Sequence, residues 1–456
     1  MTIIEGLLIF LSIVLTYFAI VLFLKKKNIL EKYNMSLYGP LLMIRTNKGK
    51  KLIEKIAEKK RFWTAFGSFG VVYCFIVMVI MVIVFIWQFW FIIGLELTPL
   101  QKAGLPGPEM ALVLPGLNPL LPLGSIFYIV LALVVAIIVH EFSHGILTIV
   151  SKLKVKSLGL LLLTIIPMGA FCEPDEEGLK KTKRTNRMRV YAAGPMSNFV
   201  VAFAILFLFS FVFMSAVQPI DGTEILYAYE GTPADEIGLS AGTLITSIND
   251  TSVDTISDCG YVIGEIEPYH TVNISYLYEG KTVHTQVNLT SLFNYTQNES
   301  HKNLSFLGIG FNTIKDDYVS SLKNPFMYDF PNGFLNAYSL PVAGFYSGYN
   351  PLNSPFTDNF EITGPLGILP DGIFWGIVNA LYWIFWLNLL VGMFNVLPII
   401  PFDGGFLYLD ALSSLVKRIK KDISEEKRDF IVKNITLITS LIILFMVIFP
   451  FFFKYI

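Results

Sequence analysis

His140, Glu141 and His144 stand in the stretch IIVHEFSHGI, residues 137–146, inside a long apolar run. A charged side chain at the centre of a membrane helix costs about 2.5–3.5 kcal/mol for Asp, Lys or Arg. Polar groups in such a place need a partner. On an α-helix, residues four apart lie above one another on one face, so the imidazoles of His140 and His144 can reach a single ion. Glu141 points to the adjacent side, where it can take a proton from a water that the ion acidifies rather than bind the ion. This is the His-Glu-x-x-His logic of zinc hydrolysis, and zinc lowers the pKa of its water to about 7. Two histidines at this spacing on a soluble helix are often merely polar, but the surrounding IFYIVLALVVAII gives that reading little support. The other three of the five histidines, His270, His284 and His301, lie far downstream in a polar region.

Catalytic zinc takes three protein ligands and keeps one position open. The third ligand is expected in NVLPIIPFDGG, residues 395–405. Pro398, Pro401, Gly404 and Gly405 cannot continue a regular helix. Broken backbone at membrane depth is tolerated where it lines a cavity, and here it can project Asp403 towards the ion. Asn395, on the same segment, is suited to bind a substrate carbonyl or steady an oxyanion. The plainer alternative is a Pro-Gly helix end that caps the next helix. The matching depth of the two groups, both near the cytoplasmic ends of their helices, favours the ligand reading.

The elements that must position these groups are membrane helices. The chain has 456 residues, 54% hydrophobic and 15% charged, against about 25% charged in soluble domains. A soluble enzyme is excluded, and nothing points to nucleic acid. Apolar runs of spanning length, roughly 20 residues, occur at about 3–24, 69–94, 126–150, 190–217, 372–396 and 431–453. These predict a polytopic α-helical membrane protein with about six transmembrane helices. No Lys or Arg precedes residue 25, whereas a cleavable leader has a basic start, so the first run is expected to stay as a helix. Residues 25–61 hold twelve basic residues against three acids, 151–189 hold nine against four, and 404–430 hold six basic residues. The positive-inside rule makes these segments cytoplasmic, and the alternation of six helices then places 218–320, with fourteen acids and three Lys, outside. Cys74, Cys172 and Cys259 suggest neither a disulfide framework nor a cysteine zinc site.

The sequence divides at 1–104 (first helices and basic loop), 105–217 (a first catalytic half), 218–318 (an inserted β-rich domain), 319–371 (an interfacial linker rich in Pro, Gly and Asn) and 372–456 (a second catalytic half). LGLLLLTIIPMGAF, 158–171, is too short to span and reads as a re-entrant segment. Its stretch 160–171 is a candidate strand edge on which an unwound substrate could pair, through Leu162, Leu163, Thr164, Ile165, Ile166 and Gly169. Within 218–318, VNISYLYEG and KTVHTQVNL alternate around a YEGK hairpin signal. GTPADEIGLSAGTLITSIND, with LGIGF at 307–311, resembles a PDZ domain of the bacterial-protease type. Asn249, Asn273, Asn288, Asn294, Asn298 and Asn303 open Asn-x-Ser/Thr triplets there, which mark accessible loops in a glycosylating host or plain Asn/Ser/Thr richness.

Four stretches together, HEFSHGI (140–146), MGAFCEPDEEGL (168–179), AAGPMSNFVVA (192–202) and NVLPIIPFDGG (395–405), resemble the site-2 proteases, intramembrane zinc metalloproteases. The resemblance covers about 105–217 and 365–410. It implies His140, His144 and Asp403 as zinc ligands, Glu141 as general base and acid, Asn395 as carbonyl binder, and a Gly-Pro-x-x-Asn helix start that brings Gly194 into question as a site residue and Asn198 as a substrate-binding one. It also implies cleavage of single-span membrane proteins, after a first cut by another protease, in a multi-pass protein of the cell membrane with the PDZ-like domain outside and the site towards the cytoplasm. There is no cysteine-rich insertion, which disfavours the animal version; LVLPGLNPLLPLGS (112–125) resembles the branch shared with archaeal enzymes, so an archaeal source is expected. Two alternatives belong to other classes: a non-catalytic PDZ adaptor with a structural metal, and a metal transporter. Neither has a use for Glu141 between the histidines.

Overall fold

A chain of Leu, Ile, Val and Phe in lipid satisfies its backbone only as helices or closed barrels, and this chain takes the helical route. The computed structural model describes residues 3–38, 41–46, 49–98, 102, 105, 107–111, 118–163 and 166–455. The long helices are α1 (Ile3–Lys26), α2 (Lys60–Ile93), α3 (Ile126–Val150), α4 (Arg184–Leu208), α5 (Asp371–Asn395), α6 (Asp403–Ile419) and α7 (Glu425–Phe452). Among the described residues, 5 helices are long and apolar enough to cross a membrane: those containing α2, α3, α4, α5 and α7. They match five of the six expected runs; the sixth run forms α1.

The chain divides into two compact units, 1–205 with 383–456, and 206–382. The first holds a four-stranded antiparallel sheet in the order β1 (Met35–Tyr38), β2 (Leu41–Thr46), β3 (Val155–Leu163), β4 (Ile166–Pro174). The basic segment 25–61 is therefore not just a loop. MSLY and LLMIRT flank a Gly-Pro pair, a local hairpin signal that the surrounding lysines obscure. The re-entrant segment is the β3–β4 hairpin, with Leu161 opposite Gly169. A core of Ile53, Ile146, Leu147, Leu158, Cys172, Val190 and Ala193 binds this sheet to α3 and α4. At Gly145 a Cβ would meet Cys172 Sγ at 2.9 Å, so α3 lies directly against β4.

In the second unit the main sheet runs β8-β7-β6-β5-β9, where β5 is Thr223–Ala228, β6 Leu244–Ile248, β7 Thr271–Tyr278, β8 Lys281–Asn288 and β9 Ile309–Phe311. Ile225, Ile245, Ile248, Val272 and Ile274 fill its core. The expected YEGK hairpin is formed: Tyr278 pairs with Lys281, and Glu279 and Gly280 both have positive φ (49° and 70°), as a two-residue turn matched to strand twist requires. Residues 319–371 are more than a connection. Helices Lys315–Lys323 and Asn332–Ser347 are formed in and beside it, and its Asn359 joins a buried network. Asn359 Nδ2 donates to Glu224 Oε2 at 2.6 Å, and Lys315 Nζ lies 3.7 Å from the same oxygen.

Candidate metal centre

Three elements converge on one point. α3 contributes His140 and His144; α6 contributes Asp403 as its first residue. Asp403 Oδ2 lies 3.0 Å from His140 Nε2 and 3.1 Å from His144 Nε2. Among the described residues these three form the group of His, Cys, Asp or Glu able to share a metal ion, their ligand atoms all within 4.8 Å of one another. Around a tetrahedral zinc with bonds of about 2.0–2.1 Å, neighbouring ligand atoms sit about 3.3 Å apart. The two Asp403 separations lie within a few tenths of an ångström of that spacing, so the trio has the donor set and proximity such an ion needs.

The third element, α4, orients the two imidazoles. His144 Nδ1–H donates to the Val190 carbonyl at 2.7 Å, and His140 Nδ1–H to Asn198 Oδ1 at 2.8 Å. Each bond leaves the lone pair on Nε2, facing the shared point. Asn198 is itself held: its Nδ2 donates to Ala136 O and to Asn388 Oδ1, both at 3.1 Å, and Asn388 is fully buried. Ligand-holding groups of this kind typically set 10–100-fold in metal affinity or activity. Gly194 lies between them on the same helical face. A Cβ there would stand 2.5 Å from both Nε2 atoms, in the space an ion would use. The Gly-Pro-x-x-Asn stretch is thus no helix start; α4 begins at Arg184 and Pro195 sits inside it, which places Gly194 and Asn198 mid-helix beside the histidines.

Asp403 owes its position to the broken turn before it. Gly404 has no room for a side chain, since a Cβ would lie 2.1 Å from Val396 O, so the turn folds back onto the start of α6. α7 secures the turn: Ile400 N–H donates to Ser440 Oγ at 3.2 Å, and that hydroxyl donates to Pro398 O at 3.2 Å. Two turns into α6, Asp410 is 3% exposed and takes a bidentate pair from Arg187, with Nε to Oδ2 at 2.7 Å. This pair ties α6 to α4 and so holds Asp403 towards the histidines. Its signal was an acid seven residues past Asp403 in an apolar helix; Arg187 was hidden among the basic residues that set orientation. Breaking a buried pair costs about 3–5 kcal/mol because one charge is left uncompensated. Arg187→Ala is expected to lower the melting temperature and weaken zinc retention. The exchange Arg187→Asp with Asp410→Arg should recover part of both, and an Arg187→Ala protein with native melting and native zinc would contradict the clamp.

Glu141 stands apart from the ligand group. Its Oε2 accepts the Cys172 N–H at 2.8 Å, so β4 holds the carboxylate beside the site. Asn395 is less committed: its Nδ2 donates to Val391 O in its own helix at 3.0 Å. For the strand residues the expectation needs correction. Leu162 is paired with Leu42 on one side and Pro167 on the other, and Leu163 faces Ile166 at the hairpin end. β3 is an inner strand where β2 flanks it, so the open edge belongs to β4, which contains Ile166 and Gly169. Thr164 and Ile165 lie outside the described residues. The Cys172 amide points away from β3, and backbone groups two residues along a strand point the same way, which puts those of Ala170 on the same edge.

Residues 128–443 match the model of peptidase family M50. An uncharacterized protein of Methanocaldococcus jannaschii is 26% identical over 413 residues, 90% of this chain and 88% of its own length. The zinc metalloprotease RasP of Shouchella clausii is 27% identical over 47% of this chain, and the regulator of sigma-W protease RasP of Bacillus subtilis 26% identical over 54%. The chain spans about half the length of those two proteins (48% and 54%). Among solved structures, the PDZ domain of an SdrC-like protein from Listeria monocytogenes matches 22% of this chain and 96% of that one, at 22% identity and a TM-score of 0.19, too low to define a fold.

Proposed function

The chain belongs to peptidase family M50, the site-2 protease family, and from that membership we propose that it is a zinc-dependent intramembrane endoprotease acting on the transmembrane segments of membrane-anchored proteins. The observation that carries the reading is the convergence of His140, His144 and Asp403 within one ion's reach, with Glu141 beside them but outside the ligand group. A zinc ion held there would supply a Lewis acid and a water with a pKa of about 7. Glu141 would accept the proton of the attacking water and return it to the leaving amine. The Cys172 amide would keep that carboxylate aimed, while Val190 and Asn198 keep the imidazoles in the productive tautomer. Asn395 would turn from Val391 O to the oxygen of the scissile carbonyl as negative charge builds on it.

A helical substrate hides its carbonyls, so the scissile stretch must unwind and find new backbone partners. We assign that role to the β4 edge by strand addition. Ala170→Pro is expected to lower cleavage about tenfold or more without releasing zinc, because proline removes an edge-facing N–H. Phe171→Pro should instead damage the β3 ladder and the fold. Unchanged cleavage in a folded Ala170→Pro protein would move the substrate to another surface. Six membrane crossings, a PDZ-like domain outside and a site facing the cytoplasm complete the proposal, with single-span substrates already trimmed by another protease. It is tested with the whole protein in lipid nanodiscs, given helical single-span substrates and a soluble unfolded protein. Cleavage of the first within the apolar segment supports it; cleavage confined to the soluble protein contradicts it.

A further inference from the structure

Between residues 249 and 305 there are six asparagines, and every one of them opens an Asn-x-Ser/Thr triplet: Asn249, Asn273, Asn288, Asn294, Asn298 and Asn303. Thirteen of those 57 residues are Ser or Thr, so composition alone would supply between one and two such triplets. Among the other seventeen asparagines of the chain, only Asn34 and Asn434 open one. The excess is confined to one part of one domain, and all six side chains there are exposed.

Their local settings differ in a way that matters for chemistry at Nδ2. Asn249 and Asn273 use their Oδ1 atoms to accept from Asn273 N–H and Gln286 Nε2. Asn298 Oδ1 accepts from the N–H and Oγ of Ser300, its own triplet partner, at 3.1 and 2.9 Å. These bonds hold the amide by its oxygen and leave the nitrogen turned to solvent; the Asn303 side chain is likewise exposed, in the turn that follows Glu299–His301. Asn294 Nδ2 is engaged with Thr290 Oγ1 at 2.9 Å, and the Asn288 amide donates to Tyr269 O at 2.9 Å.

We propose that this domain is N-glycosylated, foremost at Asn249, Asn273, Asn298 and Asn303. The reaction takes an oligosaccharide carried on a lipid phosphate, delivered by a membrane transferase. Nδ2 attacks the anomeric carbon and a C–N bond forms. The C–O bond to the phosphate breaks, its electron pair leaves with the lipid phosphate, and Nδ2 gives up one proton, with no change in oxidation state. The acceptors gather around β7, β8 and the segment after them. β8 is an outer strand of the sheet, and a bare outer strand is a template for association; bulky sugar on Asn273, which pairs with Gln286 of β8, would crowd it. β5, β9 and the helices Pro233–Glu236 and Ile256–Gly264 carry no triplet.

The test is glycopeptide mass spectrometry and gel mobility of the full chain purified from membranes of the cells that naturally make it. Sugar is expected on the four foremost asparagines, with Asn34 and Asn434, on the expected cytoplasmic side, bare. Ser300→Ala and Ser305→Ala should each remove one mobility step, whereas Ser300→Thr and Ser305→Thr keep it, which separates the modification from a folding effect. Bare peptides at all four positions, or sugar on Asn34, would overturn the proposal. None of these outcomes depends on the proteolytic reading.

Discussion

Glu141→Gln is expected to leave zinc in place and to cut peptide cleavage by roughly 10²–10⁴-fold, the usual contribution of general acid–base groups. The substitution keeps the size of the side chain and an oxygen that can accept the Cys172 N–H now bound at 2.8 Å, so the packing of β4 on α3 should survive. What it removes is the capacity to take up and return a proton. Zinc should stay because Glu141 is not one of the three converging ligands. The check is single-turnover cleavage of a membrane-embedded substrate alongside zinc analysis of the same preparation. A rate within about threefold of the parent protein would sink the base assignment. Loss of zinc would make Glu141 a ligand and reopen the mechanism.

Gly194→Ala should have the opposite signature, losing the metal first and activity as a consequence. Its Cβ would lie 2.5 Å from both Nε2 atoms, whereas real Cβ contacts essentially never fall under 3.0 Å. The rings cannot easily retreat, since Val190 O and Asn198 Oδ1 fix their far sides at 2.7 and 2.8 Å. The expected result is zinc affinity weakened by about 100-fold or more, at the upper end of what disturbed ligand positioning produces, with cleavage at background. It is measured by competition with a chromogenic chelator in detergent. Native affinity and activity would mean that the histidines face elsewhere in the working enzyme.

Much of this site was legible because membrane depth makes polar residues conspicuous. His140, Glu141 and His144 were readable from helical spacing in an apolar run, and Asp403 from its place after a helix that Pro398 and Pro401 must end. The holding groups were harder to find. The Val190 carbonyl leaves no mark in a sequence, and Gly194 and Asn198 looked like the start of a helix because Gly-Pro usually is one; tertiary packing overrides that preference in α4. Asn388 and Asp410 did carry a signal, a polar residue flanked by apolar ones in a helix, but their partners are 190 and 223 residues away. The β1–β2 hairpin was lost for a related reason. Its pairing with β3 is non-local, and its lysine-rich surroundings read as a topology signal. The segment 319–371 looked like a linker because Pro, Gly and Asn dominate it, yet Asn359 spends its side chain on buried Glu224.

The central claim, that His140, His144 and Asp403 together hold one catalytic zinc, is met most directly by zinc X-ray absorption on the purified protein and on Asp403→Ala. The prediction is one zinc per chain, a first shell of nitrogen and oxygen at about 2.0–2.1 Å with two imidazoles, and loss of bound zinc when Asp403 is replaced. Sulfur in the first shell, or an unaltered zinc spectrum in Asp403→Ala, would contradict it.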